Sequence, residues 1–152
     1  MKPDTRSTDT FAQGTTFRPH GRLEMRIEGS IAYADAYGPF NVEFIQAVAL
    51  TLRDVRSSTE LPRPYANIVQ FHVSLMGSKE MLDLLSSTIG QIRGEDVGTA
   101  LAFVVAPEVE GRDLMLPLFE RVFREHGRNF RSFDNGPEAE AWVHDCLEAA
   151  RG

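Results

Sequence analysis

Along Gln70-Phe71-His72-Val73-Ser74-Leu75-Met76-Gly77-Ser78, an imidazole, two hydroxyls and two flexible apolar side chains follow one another closely. An imidazole near a hydroxyl is the raw material of proton transfer or nucleophilic attack, and Asn41 is a further polar group that a catalytic cleft there would draw on. The surrounding spacing does not build such a cleft. Gly77-Ser78-Lys79 lacks the second glycine of a nucleophile elbow, and the chain holds neither a GxxxxGK[ST] loop nor a GxGxxG turn. His20, His72, His126 and His144 are scattered, with no HExxH pair and no Cys/His cluster at ligand spacing. No metal site and no cofactor are expected. The expected class is non-enzymatic, and an uncharacterised enzyme built around His72, Ser74 and Asn41 is kept as a rival.

Each of these side chains also has a plainer role. A lone histidine at a strand end sits partly buried with one nitrogen satisfied, and Ser78 caps a helix. Leu75 and Met76 pack on a neighbouring helix or, if exposed, meet a protein partner or a lipid chain. Arg121, Arg124 and Arg128, with Arg131 beyond, form a basic concentration suited to acidic lipid heads or an acidic partner. The Glu120/Arg124 and Arg121/Glu125 spacings favour paired charges on a solvated face instead. Cys146 shares an apolar stripe with Trp142 and Val143 and reads as a small core residue.

The elements that must position these groups follow from periodicity. Leu23, Met25 and Ile27 alternate with charged residues, a half-buried strand. After a turn near Gly29, Ile31, Tyr33 and Tyr37 alternate with Ala32, Ala34 and Ala36, an antiparallel partner whose alanine face leaves room for a close neighbour. Asp35 falls on the tyrosine side and needs a hydrogen-bond partner or water. Asn41 caps a helix over 42–56, and Pro62 and Pro64 lead into a strand over 66–71. A second helix follows Ser78 and stops near Gly94. Residues 100–106 are continuously apolar, as a strand covered on both faces would be. A third helix occupies 114–125, kinked by Pro117 or starting near Leu116. An edge strand over 129–133 precedes a helix that Gly136 and Pro137 start.

At 152 residues, 42% hydrophobic and 25% charged, the chain has ordinary globular composition, which excludes wholesale disorder, collagen-like repeats and a coiled coil. A net charge of −6 argues against nucleic acid as a partner. Residues 1–22 are mildly basic and leave −8 on the remainder. Residues 1–16 lack any apolar period and read as a flexible N-terminal arm, with a single domain over 17–150. One cysteine forms no internal disulfide, and neither a signal peptide nor a transmembrane segment is evident, so a cytoplasmic location is expected. The fold class is α/β: a mixed five-stranded sheet, its N-terminal hairpin strand antiparallel and the other four mainly parallel, with four helices. Consecutive right-handed crossovers send the helices to one face. The apolar strand at 100–106 then needs a cover on the other face, from the arm, a misplaced helix or a second subunit; a homodimer is the working expectation.

Gly38-Pro39-Phe40-Asn41, the Pro-rich entry to Tyr65-Ala66-Asn67-Ile68-Val69, and Arg131-Ser132-Phe133-Asp134 ahead of Glu138-Ala139-Glu140-Ala141-Trp142-Val143 are the segments that carry a family likeness. From about Gly21 to Leu147 the chain resembles the SpoIIAA-like group, small bacterial domains related to STAS anti-sigma-factor antagonists and distantly to phosphatidylinositol-transfer-type domains. The resemblance implies a regulatory or binding module that engages a partner protein or a small apolar or anionic ligand. It implies as a rival a carrier of lipid or of a small apolar ligand. In STAS antagonists an Asp-x-Ser-Gly motif after the third strand is phosphorylated. Here Gln70 stands near the acidic position and no Ser-Gly pair occurs, so the phosphoswitch motif is not intact and Ser74 and Ser78 are the only phosphorylation candidates. The candidate ligand or partner loop is Asn41, His72, Ser74, Met76 and Ser78, at the carboxyl end of a parallel strand, where ligands of open α/β sheets bind.

Overall fold

Alternating side chains and well-capped helices account for most of the architecture. The computed structural model describes residues 5–11 and 21–152. Its strands are β1 (Thr5–Ser7), β2 (Arg22–Glu28), β3 (Ile31–Tyr37), β4 (Ala66–His72), β5 (Leu101–Val104) and β6 (Phe130–Phe133), and they lie in one sheet in that order. β2 runs antiparallel to both of its neighbours, β1 and β3, and β3 to β6 are parallel. Gly29, at φ +60°, makes the tight turn between β2 and β3.

The sheet has six strands, not the expected five. The extra one, β1, lies in the segment read as an arm. It has no alternating apolar pattern to announce it, because it is held by backbone pairing to the edge of β2 (Thr5 opposite Arg26, Ser7 opposite Glu24). Thr8 follows, fully buried, and its hydroxyl accepts the Leu23 N–H at 2.9 Å. Arg6 reaches Asp54 at 2.8 Å. The remainder of the expected arm, residues 1–4 and 12–16, lies outside the described residues, as do residues 17–20.

The helices are α1 (Val42–Arg56), α2 (Lys79–Gln91), α3 (Arg112–Glu125) and α4 (Gly136–Arg151). Side-chain oxygens of Asn41, Ser78 and Asn135 accept the N–H groups of Phe44, Met81 and Glu138, which satisfies helix-start donors that would otherwise be orphaned. α3 starts at Arg112, two residues ahead of the expected 114–125 span and well ahead of the alternative start near Leu116, with Pro117 inside it. Its start is fixed from outside the helix: Gly111 takes a left-handed φ of +76°, and Arg112 donates to the Val105 carbonyl at 3.0 Å and to Asp134 at 2.5 Å.

α1, α2 and α3 cover one face, burying Phe44, Val48, Met81, Leu85, Met115 and Phe119 against Phe71 and Phe103 of the sheet. α4 covers the other, with Ala139, Val143 and Leu147 on Ile68, Ala102, Val104 and Phe133. The single-face expectation fails for α4 for a topological reason. α4 is not a crossover between two strands of the described sheet, so the handedness rule does not set its side. The apolar face of β5 that prompted the dimer expectation is thus covered by α4 of the same chain. α4 is also tied down by Tyr33, whose hydroxyl donates to Glu140 at 2.7 Å.

The end of β3 passes so close to the chain after β4 that a Cβ on Gly38 would fall 2.0 Å from the Ser74 carbonyl oxygen. Gly38→Ala is expected to destabilise by about 1–3 kcal/mol, because backbone on both sides must give. Thermal melting checks this, at roughly 2–4 °C per kcal/mol for a chain of this size; an unchanged midpoint would contradict the close approach.

Burial and the Glu140 carboxylate hold the Tyr33 phenol above its ordinary pKa of 10.0. The stabilisation from the neutral phenol is therefore fully present below about pH 10 and is lost as pH rises past it, since the unfolded chain ionises first. Denaturant titrations between about pH 9 and 11 should show a smaller loss in Tyr33→Phe than in the parent chain.

Candidate functional site

β3 puts Ala34 and Ala36 on the face beneath α1, and two methyl groups do not fill the space that larger strand residues would occupy. A cavity of about 170 Å³ results between the sheet and α1 and α2. Leu23 and Met25 of β2, Val69 and Phe71 of β4, and Val48 and Leu52 of α1 complete much of its apolar wall. Met81, Leu85 and Ile89 of α2 close its far side.

The cavity has two unlike ends. At the carboxyl end of the strands, Phe40 stacks on Phe44 at 4.6 Å and meets Phe71 edge-on at 6.0 Å, an apolar closure. At the amino end of β4 and β5 it is lined by Arg56, Tyr65, Asn67, Asp96, Arg128 and Asn129. Asp96 and Asn129 are exposed, so this end reaches the surface.

A clamp shapes that polar end. Arg63 donates to the carbonyls of Glu95 at 3.1 Å and Arg56 at 3.0 Å and pairs with the Asp96 carboxylate at 2.9 Å. The Tyr65 hydroxyl donates to the Asp96 carbonyl at 2.5 Å. Burial pushes the Tyr65 phenol above its ordinary pKa, the Asn67 amide and the Arg56 and Arg63 guanidiniums opposing, so it stays a donor. Arg128 donates to the Ile89 and Ile92 carbonyls at 2.8 and 2.7 Å, satisfying the end of α2.

The five loop residues expected to form a site are only partly brought together. A parallel bridge between Phe40 and Gly77, with the Phe40 N–H donating to the Met76 carbonyl at 2.8 Å, sets Asn41 and Ser78 side by side as the caps of α1 and α2. Ser74 is fully buried; its hydroxyl donates to Glu110 at 2.7 Å and accepts the Met76 N–H at 3.1 Å. His72 lies on the opposite sheet face, where Nε2 meets Asp35 at 2.8 Å and the ring stacks on Tyr37 at 4.6 Å. His72 thus supplies the partner that Asp35 requires.

His72 and Ser74 diverge because Val73 between them adopts φ +69°, a strained conformation for a β-branched residue, with the Ser74 N–H donating back to the His72 carbonyl at 2.8 Å. A second imidazole–hydroxyl contact, His126 with Ser86 at 2.9 Å, joins the α3 end to α2 on the other side of the sheet from the Asp35–His72 pair. Among the described residues no three His, Cys, Asp or Glu side chains gather as metal ligands, and no helix is long and apolar enough to cross a membrane.

Of the basic residues near α3, Arg124 pairs with Glu120, Arg128 caps α2, and Arg131 lies over the Phe133 ring at 5.2 Å. Cys146 is partly buried and accepts from the Asn129 amide at 3.6 Å. Sequence reading missed the cavity itself. Its signal was the alanine face of β3, which alternation alone presents as close packing. No family model, curated protein or solved structure matches the chain.

Arg63→Ala should free the turn at Gly94–Asp96 and cost about 1–3 kcal/mol through lost charge-assisted hydrogen bonds. Hydrogen exchange reads it out: the Asp96 and Val97 amides, bonded to the Arg93 and Gly94 carbonyls, should exchange faster while amides of β4 keep most of their protection.

Proposed function

We propose that this chain is a non-enzymatic binding module of the SpoIIAA-like type that holds one small apolar ligand between its sheet and α1–α2. The observation that carries this is the cavity of about 170 Å³ with apolar walls and one polar end. An apolar cavity of about 150 Å³ stays dry and binds benzene, so the space suits a single ring or a short chain. It falls below the roughly 300–1,000 Å³ of pockets for drug-sized ligands. That size favours a small ligand over a whole membrane lipid and narrows the carrier reading accordingly.

The polar groups favour binding over bond-making. Each side chain that would act as acid, base or nucleophile near the loop is engaged separately: His72 by Asp35, Ser74 by Glu110. A second reading, contact with a protein partner, draws on Val73 and Leu114, 70% and 64% exposed. Two exposed side chains supply far less than the roughly 800 Å² per partner of a standard interface, so the ligand reading comes first.

Benzene titrated into the labelled protein is expected to shift the amide resonances of Ala34, Ala36, Val69 and Leu85. At ten times its dissociation constant it should stabilise by about 1.4 kcal/mol, a gain visible as a higher melting temperature. Ala34→Ile, which fills the space with a side chain suited to a strand, should abolish the shifts without lowering stability. Cavity resonances that do not respond to millimolar benzene in the parent chain would refute the reading.

A further inference from the structure

Arg56 and Arg128 line the polar end of the cavity and Arg63 clamps the turn at its rim, three arginines in a protein whose net charge is −6. Two of them are occupied. Arg63 is held by Asp96 and by backbone carbonyls, and Arg128 by the carbonyls that end α2. Arg56 differs. It is partly buried and lines the cavity, yet among the described residues its guanidinium makes no hydrogen bond and no ion pair. A cation in the last turn of a helix is favoured by the terminal carbonyls. Here the Arg56 and Leu61 carbonyls beside it are already taken by Arg63, at 3.0 and 3.3 Å, which leaves the Arg56 fork directed to no internal acceptor.

We propose that the ligand of this cavity is a small aromatic or short-chain carboxylate, with its apolar part between the sheet and α1 and its carboxylate on Arg56. This rests on the apolar-ligand reading above and adds the headgroup. A planar guanidinium presents parallel N–H donors that match the two oxygens of a carboxylate, and a partly buried pair is screened less than one in open water. The volume limits the tail to about one ring, and the position of Arg56 at the surface end leaves the polar group near solvent. Asp96, the one carboxylate among the described lining residues, is paired with Arg63 and so does little to repel the incoming anion.

The test compares benzoate with benzamide, its neutral isostere, by calorimetry and amide chemical shifts in the parent chain, Arg56→Gln and Ala34→Ile. Benzoate should bind the parent about tenfold more tightly than benzamide, the worth of one charge-assisted contact. Arg56→Gln should lose that preference and keep its benzamide affinity, and Ala34→Ile should bind neither. Equal affinities in the parent, with shifts at Ala34 and Val69, would overturn the carboxylate assignment and leave the apolar site standing. A benzoate preference that survives in Arg56→Gln, or benzoate binding that survives in Ala34→Ile, would overturn it too. Silence toward benzoate, benzamide and benzene alike would remove both proposals. Should Arg56→Gln fail to fold, the benzoate-to-benzamide ratio in the parent decides alone.

Discussion

β3 is hydrogen-bonded on both sides, antiparallel to β2 and parallel to β4, so its residues keep a parity that neither neighbour lets it change. Alanine at 32, 34 and 36 therefore faces the α1–α3 layer, and Tyr33, Asp35 and Tyr37 face the α4 side. A slip of one residue would drive tyrosines under α1 and leave the alanines beneath charged side chains. Both distinctive features of the molecule, the hollow on one face and the polar aromatic lattice on the other, descend from this single strand.

On the α4 side that lattice replaces a helix. Arg22 lies over Tyr37 and Arg26 over Tyr33, each at 4.7 Å, while Asp35 bridges His72 at 2.8 Å and approaches Arg26 at 3.6 Å. Aromatic rings under guanidiniums cover the backbone of β2 and β3 while leaving charge in water. The boundary between the two coverings is the Tyr33–Glu140 hydrogen bond. Where the sheet turns apolar, at Ile68, Ala102 and Val104, α4 takes over. One sheet face is thus closed by two different physical means, and neither requires a second copy of the chain.

Features written in a few adjacent residues were legible in the sequence. The bounds of α1 follow from Asn41 and the stripe through Ile45, Val48, Leu52 and Val55, and the start of α4 from Pro137 near its amino end. Features decided by distant contacts were not. β1 exists because β2 has an unpaired edge, α3 begins at Arg112 because Val105 and Asp134 grip it, and α4 changes face because Ile68, Ala102 and Val104 present it with apolar surface there. The candidate loop shows both cases. Asn41 and Ser78 do the capping that their types announce, whereas the strained turn at Val73 sends His72 and Ser74 to different partners. Alternation of residues cannot reveal a positive φ at a β-branched position. The cavity was half legible: the alanines were visible, but whether α1 would settle onto them was not.

Why α1 does not settle is a question of what holds it away. Phe40 and Phe44 stack at its amino end on the Phe71 and Phe103 cluster, and Arg6 pairs with Asp54 while the Arg63 clamp grips the carbonyl of Arg56 at its carboxyl end. The helix is propped at both ends over small residues in the middle. The hollow opens to the surface at its polar end, and its walls forgo side-chain contacts that a filled core would make. Valine or isoleucine at 34 and 36 would restore some of those contacts and suits a strand better than alanine does. On the ligand reading proposed above, a helix propped over alanines is a poor solution to folding alone and a sound one for a space that a ligand completes, since occupancy would return the contacts that the alanines leave unmade.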